Sequence, residues 1–574
     1  MVYLIIFLNI IRFIGLEISP PGFYVDEAAG AVQAICIWET GKDFYGDYLP
    51  LFVPGVSDAF YTPAYLYGAA LWSGIFGNSI YIFRAFVAFI GCLTILFLYL
   101  WVKNISTRKI GLFVALAASI MPWSFHFSRI AWDPPIGVFF LVVALWTCYQ
   151  YRRSPLTALM FSIAAYSYSP LRISIPILLI FLPDIGRREK IHICFWGLLF
   201  AIPLLFQMQI PEFTARSELM SLWGNYPSNQ FKALNTWELV LVGFKQFFSH
   251  LSFQFLFFSG DQNIRHSIQY FGELSWLDLF AITAGIILLI NSLFRNSFNT
   301  FSDQDKKLLT ISVLGIVANI VPAALANQGA PHALRSIGCW PFYALLTGCI
   351  LNILGRLIST RVVYISTYFI SLIFFSIFIF KYFFEYPNPA KEYFLQDFTK
   401  INQAYNLITK QKMLCKDVPR DGRPKLPEEL LRIKLNEPIL FASNGYGAKH
   451  FLGANWEGQE SWGLWSKPSG AKLIFVNVPK NSKLITLSLK AVISPTHPRQ
   501  FVEIRTNGGK FQSFTLDQAS GNEINFLLND LNVDLEQKLE IEFFSKNSIT
   551  PINAGISSDD SRLLGIGLIS ATFK

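Results

Sequence analysis

Two adjacent carboxylic acids, Asp26 and Glu27, follow directly after a hydrophobic run at the N-terminus, over residues 2–19. Paired acids can carry acid–base chemistry, because one carboxylate takes a proton while its neighbour orients it. An acid pair before two alanines is equally typical of the first turn of a helix, where carboxylates offset the partial positive charge of the helix N-terminus. Both interpretations stay open until the other charged residues are placed.

The composition indicates a polytopic membrane protein. Of the 574 residues, 53% are hydrophobic and 15% are charged. A soluble chain carries about 25% charged residues. The net charge of +9 does not favour nucleic-acid binding, because the basic residues are spread between apolar runs instead of along one stripe. Basic loops between membrane helices explain the excess better, so we expect the lipid bilayer, and no nucleic acid, as a partner.

The cysteines and the N-terminus give no sign of a secreted, disulfide-rich protein. The first nineteen residues lack a basic leading region and a small-residue cleavage site, so we predict a retained membrane helix. The cysteines form no CxxC pair and no metal-type spacing, so the sequence predicts neither a disulfide framework nor a zinc site. The seven cysteines are Cys36, Cys92, Cys148, Cys194, Cys339, Cys349 and Cys415.

Apolar runs predict about eleven transmembrane helices. They lie near residues 2–19, 80–102, 110–125, 134–151, 155–169, 173–186, 191–209, 276–294, 308–326, 338–355 and 362–384. Every second short loop is rich in Lys and Arg, which indicates the cytoplasmic side. This alternation predicts a multi-pass protein of the plasma (inner) membrane with a cytoplasmic N-terminus. It leaves a large first loop, residues 20–79, and everything after about residue 385 on the extracytoplasmic side.

Charged residues gather on the predicted extracytoplasmic face, where few bases are expected. A single arginine at a membrane boundary can simply extend to the lipid headgroups. Four of them lie close to carboxylates and histidines, and carboxylates combined with guanidinium groups suit a reaction on a lipid-linked phosphate. The arginines are Arg129, Arg172, Arg265 and Arg335, and their neighbours are Asp26, Asp133, Asp261, His266 and His332.

The chain changes character after residue 385. Residues 390–412 are typical of an amphipathic helix, and a linker rich in Pro and charge follows near residues 416–437. Short β-rich runs punctuated by Gly, Asn, Asp and Pro then predict an antiparallel sandwich or jelly roll. We therefore divide the chain into residues 1–386, 387–437 and 438–574. Three tryptophans of the last part could stack on a sugar, although packing in the sandwich core is the favoured interpretation. They are Trp456, Trp462 and Trp465.

Over residues 1–386 the chain resembles the membrane glycosyltransferases of the GT-C class. The likeness is to the branch of the dolichyl-phosphate-mannose protein mannosyltransferases and aminoarabinose transferases. It rests on the order of "DEA" after the first span, "GKDFYGDYLP" and "YTPAYLYGAALWSGIFGNSIYIFRAF" in the first large loop, and "FSRIAWDPP", "FSGDQNIRHS" and "APHALRS" at later outer helix ends. The segments "WEGQESWGLWS" and "DDSRLLGIGL" are similar to β-sandwich modules of bacterial sugar enzymes.

The resemblance implies an inverting transfer of a hexose or pentose from a polyprenyl-phosphate donor to a hydroxyl acceptor on a protein, a glycolipid or an envelope glycan. Asp26 matches the family's catalytic acid and would be the general base, with Glu27 orienting it and Asp133 positioning the acceptor or supporting Asp26. The donor phosphate would meet basic side chains at the outer helix ends. Since the donor carries no nucleotide diphosphate, no cofactor is required; some relatives bind a divalent metal, and the sequence shows no ligand set for one. The candidate phosphate-binding residues are Arg129, Arg265, His266, His332 and Arg335.

A multi-pass transporter of a lipid-linked or anionic substrate is the main alternative from another class. Boundary charges can mark a substrate path, and eleven spans would suit a carrier. Against it, the sequence contains no internal repeat and no matched pair of broken helices, and its charges crowd at one face. A membrane-anchored sugar-binding protein is a third interpretation, but eleven helices exceed what an anchor needs.

Overall fold

The structure is a computed structural model, and the chain forms two compact units. The first comprises residues 1–213 and 240–423, and the second comprises residues 214–239 and 424–574. The residues described are 1–55, 60–209, 213–214, 217, 220–224, 231, 234–294, 301–327, 329–394, 404–406, 408–409, 415, 433, 435–442, 451–457, 460, 462–475, 478–479, 481–528, 539–557 and 560–574.

Sixteen helices are labelled here in chain order within the described residues, and most of their length belongs to the first unit. They are α1 (Val2–Ile10), α2 (Val25–Thr40), α3 (Pro63–Phe76), α4 (Ile80–Ile105), α5 (Arg108–Ile120), α6 (Pro122–Phe127), α7 (Pro134–Gln150), α8 (Pro155–Ser167), α9 (Leu171–Phe181), α10 (Arg187–Gln207), α11 (Thr236–Ser249), α12 (Trp276–Phe294), α13 (Asp303–Ala324), α14 (Trp340–Leu354), α15 (Thr360–Phe380) and α16 (Pro387–Phe394).

Each of the eleven predicted membrane runs contains a helix, but five helical stretches among the described residues are long and apolar enough to cross a membrane. These are Ile80–Ile105, Arg187–Gln207, Trp276–Phe294, Asp303–Ala324 and Ile337–Glu385. Other predicted runs form shorter apolar helices: Val2–Phe13, Pro134–Gln150, Pro155–Ser167 and Leu171–Phe181. A straight helix needs about 20 residues to span the hydrocarbon core, so the count of eleven spans stays a prediction. The last two predicted spans lie in one helical stretch, interrupted by a π-helical turn at Gly355–Ser359.

The first large loop, residues 20–79, folds into two helices and a short hairpin. Helix α2 ends at Gly41, which adopts the left-handed conformation that closes helices at little cost (φ +69°). Helix α3 begins with Pro63, whose missing N–H is not needed in the first turn. The strands β1 (Val53–Pro54) and β2 (Phe60–Tyr61) pair antiparallel. Apolar side chains of α2 and α3 pack with α4 in one core, which fixes the N-terminus of α2 against the rest of the unit.

The second unit contains two antiparallel sheets that share one hydrophobic core. Their strands are β3 (Pro438–Leu440), β4 (Leu464–Trp465), β5 (Ala471–Phe475), β6 (Leu484–Lys490), β7 (Gln500–Thr506), β8 (Gln512–Leu516), β9 (Ser520–Leu527), β10 (Leu539–Ser545) and β11 (Gly567–Phe573). One sheet has the order β5-β10-β7-β8, and the other has the order β3-β11-β6-β9 with β4 beside β11. Side chains of both sheets, among them Leu473, Ile541, Leu487 and Phe573, are fully buried between them.

Two predictions about the chain after residue 385, a helix and a linker, can be compared with the structure only in part. The helix predicted over residues 390–412 begins earlier, as α16, which is described as far as Phe394, and residues 404–406 and 408–409 are also helical. Residues 395–403 and most of the predicted linker, residues 416–432, lie outside the described residues. The jelly-roll topology and the domain boundaries stay predictions.

Candidate active site

The predicted general base, Asp26, lies in the first turn of α2. Its side chain is half-buried, and the Tyr61 hydroxyl donates to its backbone carbonyl over 2.9 Å. Burial and the charge of Asp26 raise the pKa of the Tyr61 hydroxyl well above its ordinary value. Tyr61 therefore stays protonated and holds the turn that carries Asp26.

Glu27, the neighbour of Asp26, forms a fully buried ion pair with Arg84 of α4. The Arg84 Nε and Nη2 atoms donate to the two Glu27 oxygens over 2.8 and 2.7 Å. A buried carboxylate needs such a bidentate partner, because an unpaired charge in the interior is very costly. Glu27 also accepts the backbone N–H groups of Tyr24 and Ala131, over 3.2 and 2.8 Å. It thus ties the start of α2 to the segment that precedes α7.

Asp133 stands at the N-terminus of α7, two residues beyond Ala131. The Tyr65 hydroxyl donates to the Ala131 carbonyl over 2.7 Å, so both backbone groups of Ala131 are held. Burial raises the pKa of Asp133 from its ordinary 3.8 to about 7, and the negative charge of Asp26 adds to the rise. The positive charge of Arg172 acts in the opposite direction. Asp26 and Asp133 therefore belong to one electrostatically coupled site.

The loop that carries Arg265 and His266 is held next to this pair. His126 Nε2 contacts the Arg265 carbonyl at 2.8 Å, and the Tyr386 hydroxyl donates to the Ile264 carbonyl over 2.8 Å. The Arg265 guanidinium lies 4.3 Å from the centre of the Tyr24 ring, a cation–π contact with the residue two positions before Asp26.

Trp132 and Tyr24 connect the carboxylate pair to the histidines. The Trp132 ring packs edge-on against both Tyr24 and His266, with ring centres 6.1 and 5.9 Å apart. Since Trp132 directly precedes Asp133, these contacts bring Asp26, Asp133 and the Arg265 loop to one face of the first unit.

Asp261, His266 and His332 form a buried cluster in this part of the chain. The Asp261 Oδ2 atom lies 3.1 Å from His266 Nδ1 and 3.6 Å from His332 Nδ1. Burial lowers the pKa of both imidazoles. Burial alone would raise the pKa of Asp261, but the hydrogen bond from His266 holds it below its ordinary value. The positive charge of Arg335 acts on both histidines, so Arg335 lies beside the cluster.

Arg129 is placed differently from the other predicted phosphate-binding residues. Its guanidinium is fully buried and donates to backbone carbonyls, including those of Arg12 and Ser19 over 2.7 Å each. It also lies within 5.4 Å of the ring centres of Phe125, Tyr382 and Phe383. These contacts use the N–H donors of Arg129 to hold the chain after α1, so we leave Arg129 out of the proposed donor site.

Arg172, which the sequence showed only as a boundary arginine, is linked to Asp133 because its positive charge lowers the pKa of that carboxyl group.

Of the three tryptophans predicted as candidates for sugar stacking, Trp456 packs against the core of the second unit. Its ring meets Phe543 at 5.7 Å and its Nε1 donates to the Lys472 carbonyl over 2.7 Å. The Trp462 ring is covered by the Lys490 ammonium at 3.9 Å and stands at 72° to the Trp465 ring. No flat platform is formed by these three rings, and sugar stacking on them stays a prediction.

The expectation that no disulfide is present is wrong. Cys36 of α2 and Cys415 form a disulfide with Cα atoms 5.4 Å apart and a sequence separation of 379 residues. Tyr405 and Ile408 pack in the same core as α2, and the Cys415 N–H donates to Glu39 over 3.0 Å. The sequence could not show this pairing, because no local spacing links cysteines so far apart.

Comparisons with known proteins give no family. No protein-family model and no curated protein match the sequence. Among solved structures, the chain is similar to the Archaeoglobus fulgidus oligosaccharyltransferase in the apo form, with 12% identity and a TM-score of 0.39 over 68% of this chain and 55% of that one. It is also similar to ArnT from Cupriavidus metallidurans in the apo state, with 13% identity and a TM-score of 0.37 over 61% of this chain and 59% of that one.

A structure of the same ArnT bound to undecaprenyl phosphate matches with 12% identity and a TM-score of 0.37, over 73% of each chain. This chain therefore spans little more than half the length of the first two structures it resembles. The proposals below are built on its own residues.

Proposed function

We propose that this protein is an inverting membrane glycosyltransferase that moves a sugar from a polyprenyl-phosphate donor to a hydroxyl acceptor. The observation that supports the proposal is that two carboxylates and an arginine-bearing loop lie at one face of the first unit. Asp26 and Asp133 form a coupled carboxylate pair, and Tyr24 and Trp132 join this pair to the loop of Arg265. Transfer from a phosphate needs both a base for the acceptor and cations for the leaving group.

In the proposed reaction, the acceptor hydroxyl attacks the anomeric carbon opposite the phosphate. Its proton passes to the Asp26 carboxylate as the new glycosidic bond forms. The bond from the anomeric carbon to the phosphate oxygen breaks, and polyprenyl phosphate leaves with the bonding electrons. Arg265 and Arg335 meet the charge of this leaving group, because guanidinium groups bind phosphate in a fork geometry.

Asp133 and Glu27 have supporting roles in this scheme. With a pKa of about 7, Asp133 is partly protonated at neutral pH, so it can donate a hydrogen bond to the acceptor. The same pKa makes Asp133 the alternative base, because a base works best when its pKa lies near the working pH. Glu27 does not reach substrate in this scheme; its ion pair with Arg84 holds the segments of Asp26 and Asp133.

We place this chemistry on the extracytoplasmic face, with the N-terminus in the cytoplasm. The distribution of basic loops supports this orientation. The Cys36–Cys415 disulfide supports it independently, since disulfides persist in oxidising compartments and are rare in the cytosol. Helix α2 carries both Cys36 and Asp26, so the disulfide and the proposed base lie on one side of the membrane.

The test is a transfer assay with the purified full-length chain in lipid nanodiscs. A panel of synthetic polyprenyl-phosphate sugars and hydroxyl acceptors is supplied, and free polyprenyl phosphate and glycosylated product are measured by mass spectrometry. We expect both products in equal amounts, with inverted configuration at the anomeric carbon. Movement of intact lipid-linked sugar across proteoliposomes, without release of polyprenyl phosphate, would refute the proposal and favour a transporter.

A further inference from the structure

Three side chains of metal-binding type converge between two loops of the first unit. Asp261 and His266 belong to the loop before α12, and His332 belongs to the loop between α13 and α14. Their ligand atoms all lie within 4.8 Å of one another. Within the described ranges of the chain, this is the one group of three or more such residues with this geometry.

From this geometry we infer a zinc site formed by Asp261 Oδ2, His266 Nδ1 and His332 Nδ1. Zinc binds imidazole nitrogen at about 2.0–2.1 Å and carboxylate oxygen at about 2.0–2.2 Å, so a tetrahedron separates its ligand atoms by roughly 3.3–3.5 Å. The carboxylate oxygen lies 3.1 and 3.6 Å from the two nitrogens, on either side of that value. All three ligand atoms lie within 4.8 Å of one another, so zinc binding requires the two imidazoles to close around the ion.

The contacts of His332 favour a cation between its Nδ1 atom and Asp261. The His332 Nδ1 atom accepts the backbone N–H of Arg335 over 3.3 Å, so this nitrogen carries no proton. It also lies 3.6 Å from Asp261 Oδ2, and two acceptor atoms at this distance repel each other. A zinc ion between them removes this repulsion and takes the Nδ1 lone pair, which gives up the long hydrogen bond from Arg335. At His266 the ion replaces the proton that now bridges Nδ1 and the carboxylate, as metal binding to histidine requires.

The cluster is held in place by groups behind it. Asp261 accepts the backbone N–H groups of Asn263 and Ala333, over 2.8 Å each. His250 Nε2 accepts the backbone N–H of His332 over 3.0 Å and fixes that loop. Such supporting contacts orient the ligands in known metal sites and are needed for affinity. The three ligands are thus preorganised by backbone contacts from both loops.

Three protein ligands leave a fourth zinc position open, as in catalytic rather than structural zinc sites. Arg335 acts electrostatically on His250, His266 and His332, and Arg265 acts on His266. These positive charges favour an anionic oxygen ligand at the open position. If the proposed function holds, this ligand is the phosphate of the polyprenyl donor; the zinc site itself does not depend on that function.

The site is tested by metal content and by spectroscopy on the full-length protein. We expect about one zinc per chain by plasma mass spectrometry, removal of the zinc by a chelator, and a saturable rise in Tm when Zn²⁺ is returned. Replacement by Co²⁺ should give the visible absorption of a tetrahedral site.

The Asp261→Asn and His332→Ala variants should lose zinc affinity by more than about 100-fold, whereas the His192→Gln control should bind as the parent does. His192 lies on α10, away from the cluster in the sequence. Because His332→Ala can disturb folding, Asp261→Asn, which keeps size and shape, is the decisive variant. Folded parent protein without bound zinc and without a Tm response, or an Asp261→Asn variant that binds zinc normally, would overturn the site.

Different results would refute the glycosyltransferase function and the zinc site. Zinc-loaded protein that transfers no sugar would refute the glycosyltransferase and leave the metal site intact. Protein that transfers sugar equally well with no zinc bound and no zinc affinity would refute the site and leave the function intact.

Discussion

Replacing Asp133 by Asn should change how the stability of the protein depends on pH. Burial raises the pKa of Asp133 from 3.8 to about 7. A carboxyl group with a raised pKa in the folded state binds more protons there than in the unfolded state between about pH 4 and pH 7. The free energy of unfolding therefore falls as the pH rises through this window, because folding must hold a carboxylate that burial disfavours.

The expected change in the free energy of unfolding follows from the size of the pKa shift of Asp133. Three pKa units correspond to about 4 kcal/mol at full burial. Because Asp133 is half-buried, solvent screening reduces this, and we expect roughly 1–3 kcal/mol. Asn has the shape of the protonated acid and does not ionise, so Asp133→Asn should match the parent only below about pH 4, and its stability relative to the parent should increase steadily from pH 5 to pH 8.

The assay is thermal unfolding in detergent, followed by tryptophan fluorescence at pH 5, 6, 7 and 8. Other titrating groups are common to both proteins and cancel in the difference in Tm. Asp303→Asn, which changes a fully exposed carboxylate of α13, serves as the control with no such pH dependence. A Tm difference for Asp133→Asn that is the same at pH 5 and pH 8 would refute the burial of Asp133 and its role as an acid of neutral pKa.

Three further predictions concern the support of the site and the donor. Arg84→Leu leaves Glu27 buried without a partner, so the free energy of unfolding should fall by about 3–5 kcal/mol; an unchanged Tm would contradict the ion pair. Cys36→Ser removes the link to Cys415 and should lower stability by about 2–4 kcal/mol, whereas Cys92→Ser should not; a parent peptide map without the disulfide under non-reducing conditions would contradict the pairing. Arg335→Ala should raise the KM for the polyprenyl-phosphate donor while folding is kept, with partial rescue by Lys, and an unchanged KM would assign Arg335 to the lipid headgroups.

Much of the fold follows from sequence patterns that act locally. Hydropathy predicts a helix over residues 276–294, and α12 is Trp276–Phe294; the predicted span at 80–102 is α4, Ile80–Ile105. Alternating apolar residues likewise predict most strands of the second unit. Strand β8 has no such pattern, because its side chains are mostly exposed and it pairs with β7 at the edge of its sheet as described.

The candidate site could be predicted only in part, because its geometry depends on contacts between distant segments. Asp26 and Asp133 were expected from the resemblance to the GT-C class and from their place on the predicted outer face, but the sequence does not show that the burial of Asp133 and the charge of Asp26 raise its pKa. Arg129 and Arg265 are indistinguishable as boundary arginines, yet one is buried on backbone carbonyls and the other lies over Tyr24.

The cluster of Asp261, His266 and His332 was not predicted as a metal site for the same reason. His266 and His332 stand in separate loops, and α12 and α13 lie between them in the chain. Metal-type spacing is a signal only where ligands lie on one turn or hairpin. Contacts across loops can be found only once the helices are placed.

The central claim is that Asp26 takes the proton of the acceptor, and its most direct test is the turnover of Asp26→Asn. Asp26 is the second residue of α2, where its charge interacts with the helix dipole, so replacing it by Asn should keep the fold at a cost of about 0.3–1 kcal/mol. The Tyr61 hydroxyl bonds to the backbone at this position and is not affected by the substitution. An amide cannot accept the proton, and loss of acid–base assistance typically costs on the order of 10²–10⁴ in rate.

The measurement is the initial rate of transfer from a polyprenyl-phosphate sugar, with folded protein and Tm matched to the parent and with Asp303→Asn as the control. We predict that Asp26→Asn binds donor normally and turns over at least about 100-fold more slowly, whereas the control keeps the parental rate. A parental rate for Asp26→Asn would contradict the assignment and make Asp133 the base.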